Sequence, residues 1–355
     1  MLLPKTVQLD YCLGGYKPMA RLLALIILIF GIWTGAGTAR AASAPKIVLA
    51  HGALNARIAP LWIAHEQKFF AKYGVDATVI LVRQIQIMVS GLGTGEIDVA
   101  LTSGSTLIGA AAGGLDAKMV AALNSKVTYD LVAAPPIKTI KDLRGKRFGI
   151  QAFGGGLWMG AMLGLESLGL NPQRDNINVL QVGDQSVIAQ AMEAGAIDAA
   201  ALDGVFSRRL KQKGFNILAE FGQSNIPTIG LGLIAKSVFI RERQDVLEGI
   251  LKGLSEAVAF ILSPKSKPVV LKTIMQHLRL SDPTAAEEGY QDLVTGLDKK
   301  LVPSSEGLRN IQRLLKPRNP KLEAVRVEEL IDDRIVRRLE ESGFINRLQA
   351  TYGLK

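Results

Sequence analysis

The sequence predicts an α/β chain of two lobes, each a mainly parallel sheet flanked by helices, joined by two crossings. Three observations lead there. "GEIDVALTSG" (Gly95 to Gly104) is rewritten a hundred residues on as "GAIDAAALDG" (Gly195 to Gly204), an offset too long for a solenoid repeat, whose periods run to about fifty residues. Around both copies, strand-like and helix-like runs alternate in the βαβ order of a parallel sheet. Beyond Arg241 the pattern is helical, with no strand left to build a third sheet.

The elements follow in order. Lys17 and Arg21 precede "LLALIILIFGIW", and Ala39 and Ala41 stand in A-x-A spacing. This is the pattern of a secretory signal peptide, expected to be cleaved after Ala41, and it falls short of the roughly 20 apolar residues that span a bilayer. "KIVLA" is the first strand, followed by the loop "HGALN" and a helix over "RIAPLWIAHEQKFFAKYG" with Gly74 as its stop. "VDATVILV", "RQIQIMVSGLGTG" and "IDVALT" complete strand, helix, strand. The second copy keeps step with "KRFGI", the loop "QAFGGG", the helix "LWMGAMLGLESLG", the strand "INVLQV", the helix "SVIAQAMEAG" and the strand "IDAAALD". Between the copies, Pro135 and Pro136 break regular structure. "PTIGLGLIAKSVF" is an extended return crossing, with hinges expected near residues 128–134 and 231–236. Five helical runs close the chain, the last over "VRVEELIDDRIVRRLEESGF", and they are expected to pack on the first lobe. The expected division is a leader over 1–41, a first lobe over 45–130, a second over 131–235, and a return to the first lobe with the C-terminal helices over 236–355.

Composition narrows the function. A chain of 355 residues that is 48% hydrophobic and 21% charged is a globular protein of one or two domains, not a disordered one. Its only cysteine, Cys12, precedes the apolar run. The mature chain therefore has no disulfide, thiolate nucleophile or cysteine metal site, and an exported chain of this kind fits a bacterial periplasm. The three histidines, His51, His65 and His277, show no metal-ligand spacing, so no metal is expected. Of the net charge of +10, +7 remains after the leader, much of it in segments such as "RNIQRLLKPRNPK". There the charges interleave with helical apolar spacing and no aromatic accompanies them, a solvated helix face rather than a nucleic-acid surface. No nucleophile–base pair or phosphate loop is recognisable.

Ligands of open parallel sheets bind outside the carboxyl ends of the strands. The loops "HGALN" and "TSGSTL" should therefore meet "QAFGGGLW" and "LDGV" across one cleft. Ser103, Ser105 and Thr106 open a helix whose N-terminus can take an anion, although Ser103 or Ser105 can equally be an ordinary cap. Gly154, Gly155 and Gly156 let backbone approach a ligand or form a bare turn. Phe153 and Trp158 can flank an organic body, Trp158 being equally a core residue. His51 and Asn55 can hydrogen-bond a ligand. Asp203 can accept from a donor-bearing ligand or cap the helix after it. Asp98 and Asp198, at strand starts, are expected to be structural.

The runs "PLWIAHEQKFFAKYGVDATVI", "GLGTGEIDVALTSGSTLIGAAAGG", "IKDLRGKRFGI" and "AMEAGAIDAAALDG" carry a resemblance. The chain resembles substrate-binding proteins of bacterial ABC importers, in the group for aliphatic sulfonates, taurine, nitrate and thiamine-precursor pyrimidines, over about residues 46–239. The resemblance implies the two-lobe periplasmic binding protein fold of type II. It also implies capture of a small organic anion without catalysis or cofactor, and delivery to a permease and, through it, an ATPase, by a monomer. Sulfonate and taurine binders of that group usually place a serine or threonine after the glycine of the second-lobe loop, where this chain has only glycines. Two other roles share the fold: a thiamine-pyrimidine-synthesis-like enzyme, argued against by the export signal and the missing cysteines, and an exported receptor serving a sensor.

Overall fold

The structure, a computed structural model, describes residues 46–354; the expected leader lies outside the described residues. Strand β1 (Lys46–His51) leads through a 3-10 turn (Ala56–Ile58) to α1 (Ala59–Glu66) and the short α2 (Phe69–Lys72). One continuous helix was expected here. The chain breaks at Lys68, which takes a left-handed φ of 58°, so the second apolar turn, Phe69 and Phe70, is re-aimed into the core. Strand β2 (Asp76–Leu81), α3 (Ile85–Thr94), β3 (Val99–Thr102) and α4 (Gly104–Ala112) follow. Then come β4 (Ala117–Lys126) and β5 (Asp130–Ala133), neither of them expected from sequence. The second copy supplies β6 (Arg147–Ile150), α5 (Gly156–Ser167), β7 (Asn178–Gln181), α6 (Gln185–Glu193), β8 (Ala199–Leu202), α7 (Gly204–Gln212) and β9 (Asn216–Glu220). Strand β10 (Pro227–Lys236) precedes α8 (Ser237–Glu242), α9 (Gln244–Leu262), α10 (Lys267–Leu278), α11 (Pro283–Gly296), α12 (Ser305–Leu315), α13 (Arg334–Glu341) and α14 (Phe344–Thr351). Among the described residues no helix is long and apolar enough to cross a membrane.

Two five-stranded sheets result, in the orders β2-β1-β3-β10-β4 and β7-β6-β8-β5-β9. Each has one antiparallel member, and in each that member comes from the other half of the chain: β10 in the first sheet, β5 in the second. The return crossing therefore ends before Pro227, ahead of the expected 236. Residues 231–236 of the second expected hinge lie inside the paired strand β10, and residues 130–133 of the first lie inside β5. The segments that do cross, 127–129 and 221–226, bond to each other, Val127 N–H to Ile226 O at 3.0 Å and Phe221 N–H to Tyr129 O at 3.0 Å.

The repeated phrase has a structural cause. Gly95 and Gly195 both take left-handed φ, 87° and 69°, which only glycine adopts without strain. Ile97 and Ile197 are then buried, and each aspartate reaches the strand alongside. Asp98 Oδ2 accepts Val48 N–H and Asp198 Oδ2 accepts Arg147 N–H, both at 2.8 Å. Each carboxylate thus takes a backbone donor just ahead of the first paired residues, Leu49 with Val99 and Phe148 with Ala199.

Of the C-terminal helices, α9 and α10 pack on α1 of the first lobe, and α11 and α12 also reach the second. Helix α12 packs on α4 and β10 of the first lobe and also on α5 of the second, with Arg313 holding Glu166 through two bonds. The last expected helix is shorter than its sequence pattern. Ile331 pairs in parallel with Met119 and Asp332 N–H bonds Met119 O at 2.9 Å, so the chain is extended there and becomes helical only at Arg334.

Candidate functional site

The loop after β1 and the loop after β8 do meet, and the side chain that joins them is Arg57. Asn55 caps the 3-10 turn by accepting Arg57 N–H at 3.2 Å, and this turn sends the Arg57 guanidinium across to Asp203 of the second lobe. Its planar face lies 4.4 Å from the Tyr129 ring on the first crossing segment. Asp203 is 8% exposed and is also fixed from its own lobe. Its Oδ2 accepts Gln185 Nε2–H at 2.5 Å, and its N–H donates to Gln185 Oε1 at 2.7 Å. Beside the pair, Asp292 of α11 accepts the N–H of Gly204, the first residue of α7. Arg208 lies 3.6 Å from Asp292 and 4.0 Å from Asp130.

Burial governs the electrostatics. Desolvation opposes the charge on Arg57, yet Asp203, Tyr129 and Asp292 together hold it above its ordinary value. Asp292 is pushed up to about 7, first by burial and then by the neighbouring Asp203. Burial also raises Asp130, against the hydroxyl of Ser207 that donates to it. Each carboxylate at the junction has its own partner, Arg57 and Gln185 for Asp203, the Ser207 hydroxyl for Asp130 and the Gly204 N–H for Asp292, while Arg208 Nη1 is buried without a hydrogen-bond partner.

The other expected residues divide into separate groups. Ser103 caps α4, its Oγ accepting Thr106 N–H at 3.4 Å. It also lies 2.8 Å from Ser105 Oγ and 3.1 Å from Thr106 Oγ1, so the three hydroxyls bond one another. Gly104, beside them, is covered by Leu308 and Ile311 of α12. Gly154, Gly155 and Gly156 form the turn into α5, with Gly155 at the cap position and Leu315 of α12 against Gly154. Phe153 and Trp158 meet edge to face at 6.3 Å, and the Arg318 guanidinium sits 4.0 Å above the Phe153 ring. Trp158 is 5% exposed and belongs to the core. Helix α12 therefore stands between two loops that sequence reasoning expected to face each other directly. Asp203 stands at the N-cap position of α7, but its side chain makes no capping bond and is turned to Arg57 and Gln185 instead.

His51 lies elsewhere. It is 4% exposed, its Nδ1–H bonds Ala53 O at 2.8 Å, and burial pushes its pKa below the usual value. Together with His65, His277, Glu66 and Trp62 it lines a cavity of about 270 Å³ on the flank of the first lobe, where Trp62 and His277 stack at 4.1 Å. All three histidines of the chain converge there, which their spacing in sequence does not show. Among the described residues, no three His, Cys, Asp or Glu side chains are placed to hold a metal.

Sequence reasoning missed Arg57, Tyr129, Asp292 and Arg318. Only Arg57 left a signal, as the single charged residue just past the uncharged loop "GALNA". Asp292 lies in an ordinary amphipathic helix and gives none.

Known structures share this architecture. The periplasmic aliphatic sulphonate binding protein SsuA of Escherichia coli superposes with a TM-score of 0.67 at 20% identity, over 81% of this chain and 92% of that one. The alkanesulfonate-binding protein SsuA of Xanthomonas axonopodis pv. citri, bound to MOPS, gives 0.61 at 17% identity over 81% and 96%. The periplasmic nitrate-binding protein NrtA of Synechocystis PCC 6803 gives 0.61 at 15% over 84% and 88%. At these identities the likeness is one of fold, the two-lobe fold of periplasmic binding proteins. No curated protein matches the chain. The family model described as NMT1/THI5 like matches residues 55–266.

Proposed function

The chain belongs to the NMT1/THI5-like family, and from that premise we propose that it is the extracytoplasmic solute-binding component of an ABC importer. In this reading it captures a small organic anion between its lobes and hands it to a permease. The observation that carries the reading is the junction itself. Two lobes of the same strand order, joined by two chain crossings and bridged by α12, meet through loops at the carboxyl ends of β1 and β8, where Arg57 faces Asp203. Such a construction suits hinge closure around a ligand. Its structural neighbours include sulfonate- and nitrate-binding proteins. In the same reading the leader over 1–41 directs export to the periplasm, the mature protein acts as a monomer, and it catalyses nothing.

The test is direct. The protein is expressed with its leader in a bacterium, recovered from the periplasm, and analysed by native mass spectrometry and small-angle scattering before and after mild denaturation and refolding. The expected results are a mature chain beginning at Ala42, a bound solute of a few hundred daltons at most, and a molecule more compact with the solute than without. A full-length chain in the cytosol carrying no solute would overturn the proposal.

A further inference from the structure

Arg57 poses a problem that a solute can solve. Its side chain is only 13% exposed, and a buried guanidinium cannot be left without an anion at tolerable cost. Yet its partner belongs to the other lobe, so the pair breaks whenever the lobes part. The two sides are not equally bound. Asp203 keeps Gln185 on its own lobe after separation, through both its carboxylate and its backbone N–H. On its own side Arg57 keeps the face of Tyr129 and the through-space charge of Asp292, which makes no ion pair with it, and of its five donors one is engaged by Asp203. Asp203 is therefore the partner that leaves at little cost, and Arg57 is the group whose donors are then left without an acceptor.

A second observation marks the same place. Arg57, Asn124, Leu231, Asp292, Leu293 and Leu297 surround a cavity of about 10 Å³, room for one water at most. Asn124 is 5% exposed, and while its Nδ2–H bonds Gly296 O at 2.9 Å, its Oδ1 is buried without a partner. Buried acceptors are rarely left so, and one in this position marks a place for a donor.

We propose that Arg57 is the residue that recognises the anionic group of the solute, and that Asp203 occupies its guanidinium as a built-in competitor which the solute displaces. The solute class this selects is a small molecule with one carboxylate or sulfonate group, a short apolar body for Leu231, Leu293 and Leu297, and an N–H or O–H within reach of Asn124 Oδ1. The proposal rests on the solute-binding reading above.

Methanesulfonate serves as the probe, in thermal melts at constant ionic strength with far-UV circular dichroism as the check on folding. Asp203→Asn keeps its shape and its Gln185 neighbour but gives up the charge. It should respond to methanesulfonate at concentrations at least tenfold lower than wild type, and adding Arg57→Gln should abolish the response. Arg57→Gln alone leaves no unpaired buried cation and should also remove whatever response wild type shows. The proposal falls if Asp203→Asn responds no better than wild type, or if the double variant still responds. Native mass spectrometry separates this proposal from the reading beneath it. A solute retained equally by wild type and Arg57→Gln overturns the role of Arg57 and leaves solute capture standing. An Arg57-dependent methanesulfonate response in a protein that carries no solute and never compacts upholds the anion site and overturns solute capture.

Discussion

Asp98 and Asp198 show how one residue can serve a fold twice. Each accepts a backbone N–H from the first strand of its lobe, and each follows a left-handed glycine and a buried isoleucine. Asp98→Ala leaves Val48 N–H without its acceptor, and such a loss costs about 1–3 kcal/mol. Urea unfolding should show that decrease in the midpoint, with the probe response of Asp203→Asn unaltered when the two changes are combined. Asp198 differs in having Arg147 across from it, whose side-chain bonds hold its carboxyl below the usual carboxylate range. A depressed carboxyl contributes stability above its unfolded value of about 3.9, and loses it as pH falls through the lower folded value. Asp198→Asn should therefore lower stability at neutral pH while reducing its fall at the acid end. Parallel acid-unfolding curves for the two proteins would refute this. Ser103 and Asn55 belong to the same scale: both are candidate ligand groups and both act as caps, a role that sequence reasoning weighed for Ser103 but not for Asn55.

At the scale of elements, α12 decides how the lobes are tied. Its Gly307 lies against the Thr228 backbone of β10 so closely that an added Cβ would stand 2.7 Å from Thr228 O. Gly307→Ala should push the helix off the strand and destabilise the fold by about 1–3 kcal/mol, read as an earlier denaturant midpoint. A neutral outcome would mean that α12 shifts freely. The C-terminus is pinned in a similar way by Glu256, a 3% exposed residue of α9 whose carboxylate takes Lys72 Nζ and the hydroxyls of Tyr73 and Tyr352. What sequence reading recovered at this scale was local. The boundaries of α10 and α12 follow from apolar spacing and caps, and the duplicated strand order follows from the repeated phrase. What it lost was the partner of each extended run. "PTIGLGLIAK" reads as a strand, but its sheet is decided by contacts such as that of Gly232, where a Cβ would overlap Met119 Sδ of β4, a contact spanning over a hundred residues. The site was lost for the same reason. Asn55 and its cap lie within two residues, whereas Arg57 and Asp203 are 146 apart and neither has a local pattern that names the other.

For the whole molecule, the junction should convert solution pH into a preference for closure, with Asp292 as the group through which it does so. It projects from α11, carried with the first lobe, to the start of α7 in the second. It faces Arg57 of the β1 loop, Asp203 at the end of β8, Arg208 of α7 and the Gly204 N–H, with Glu288 one turn earlier on its own helix. Burial and the Asp203 charge raise it to about 7, against an unfolded value of about 3.9. Between those values the folded protein holds a proton that the unfolded chain has released, so stability falls as pH rises through this window. Below about pH 4 both states are protonated and the penalty is absent; above about 7 it is fully in force. The penalty belongs to the closed junction, because parting the lobes returns Asp292 to water. Closure should therefore be tighter at pH 5 than at pH 8, with a smaller radius of gyration and a melting temperature several degrees higher. Asp292→Asn carries no charge at either pH and keeps an acceptor for the Gly204 N–H. It should remove most of this pH dependence and behave at pH 8 as wild type does at pH 5. Equal slopes of melting temperature against pH in the two proteins would place the pH response in another group and leave Asp292 a structural acceptor alone.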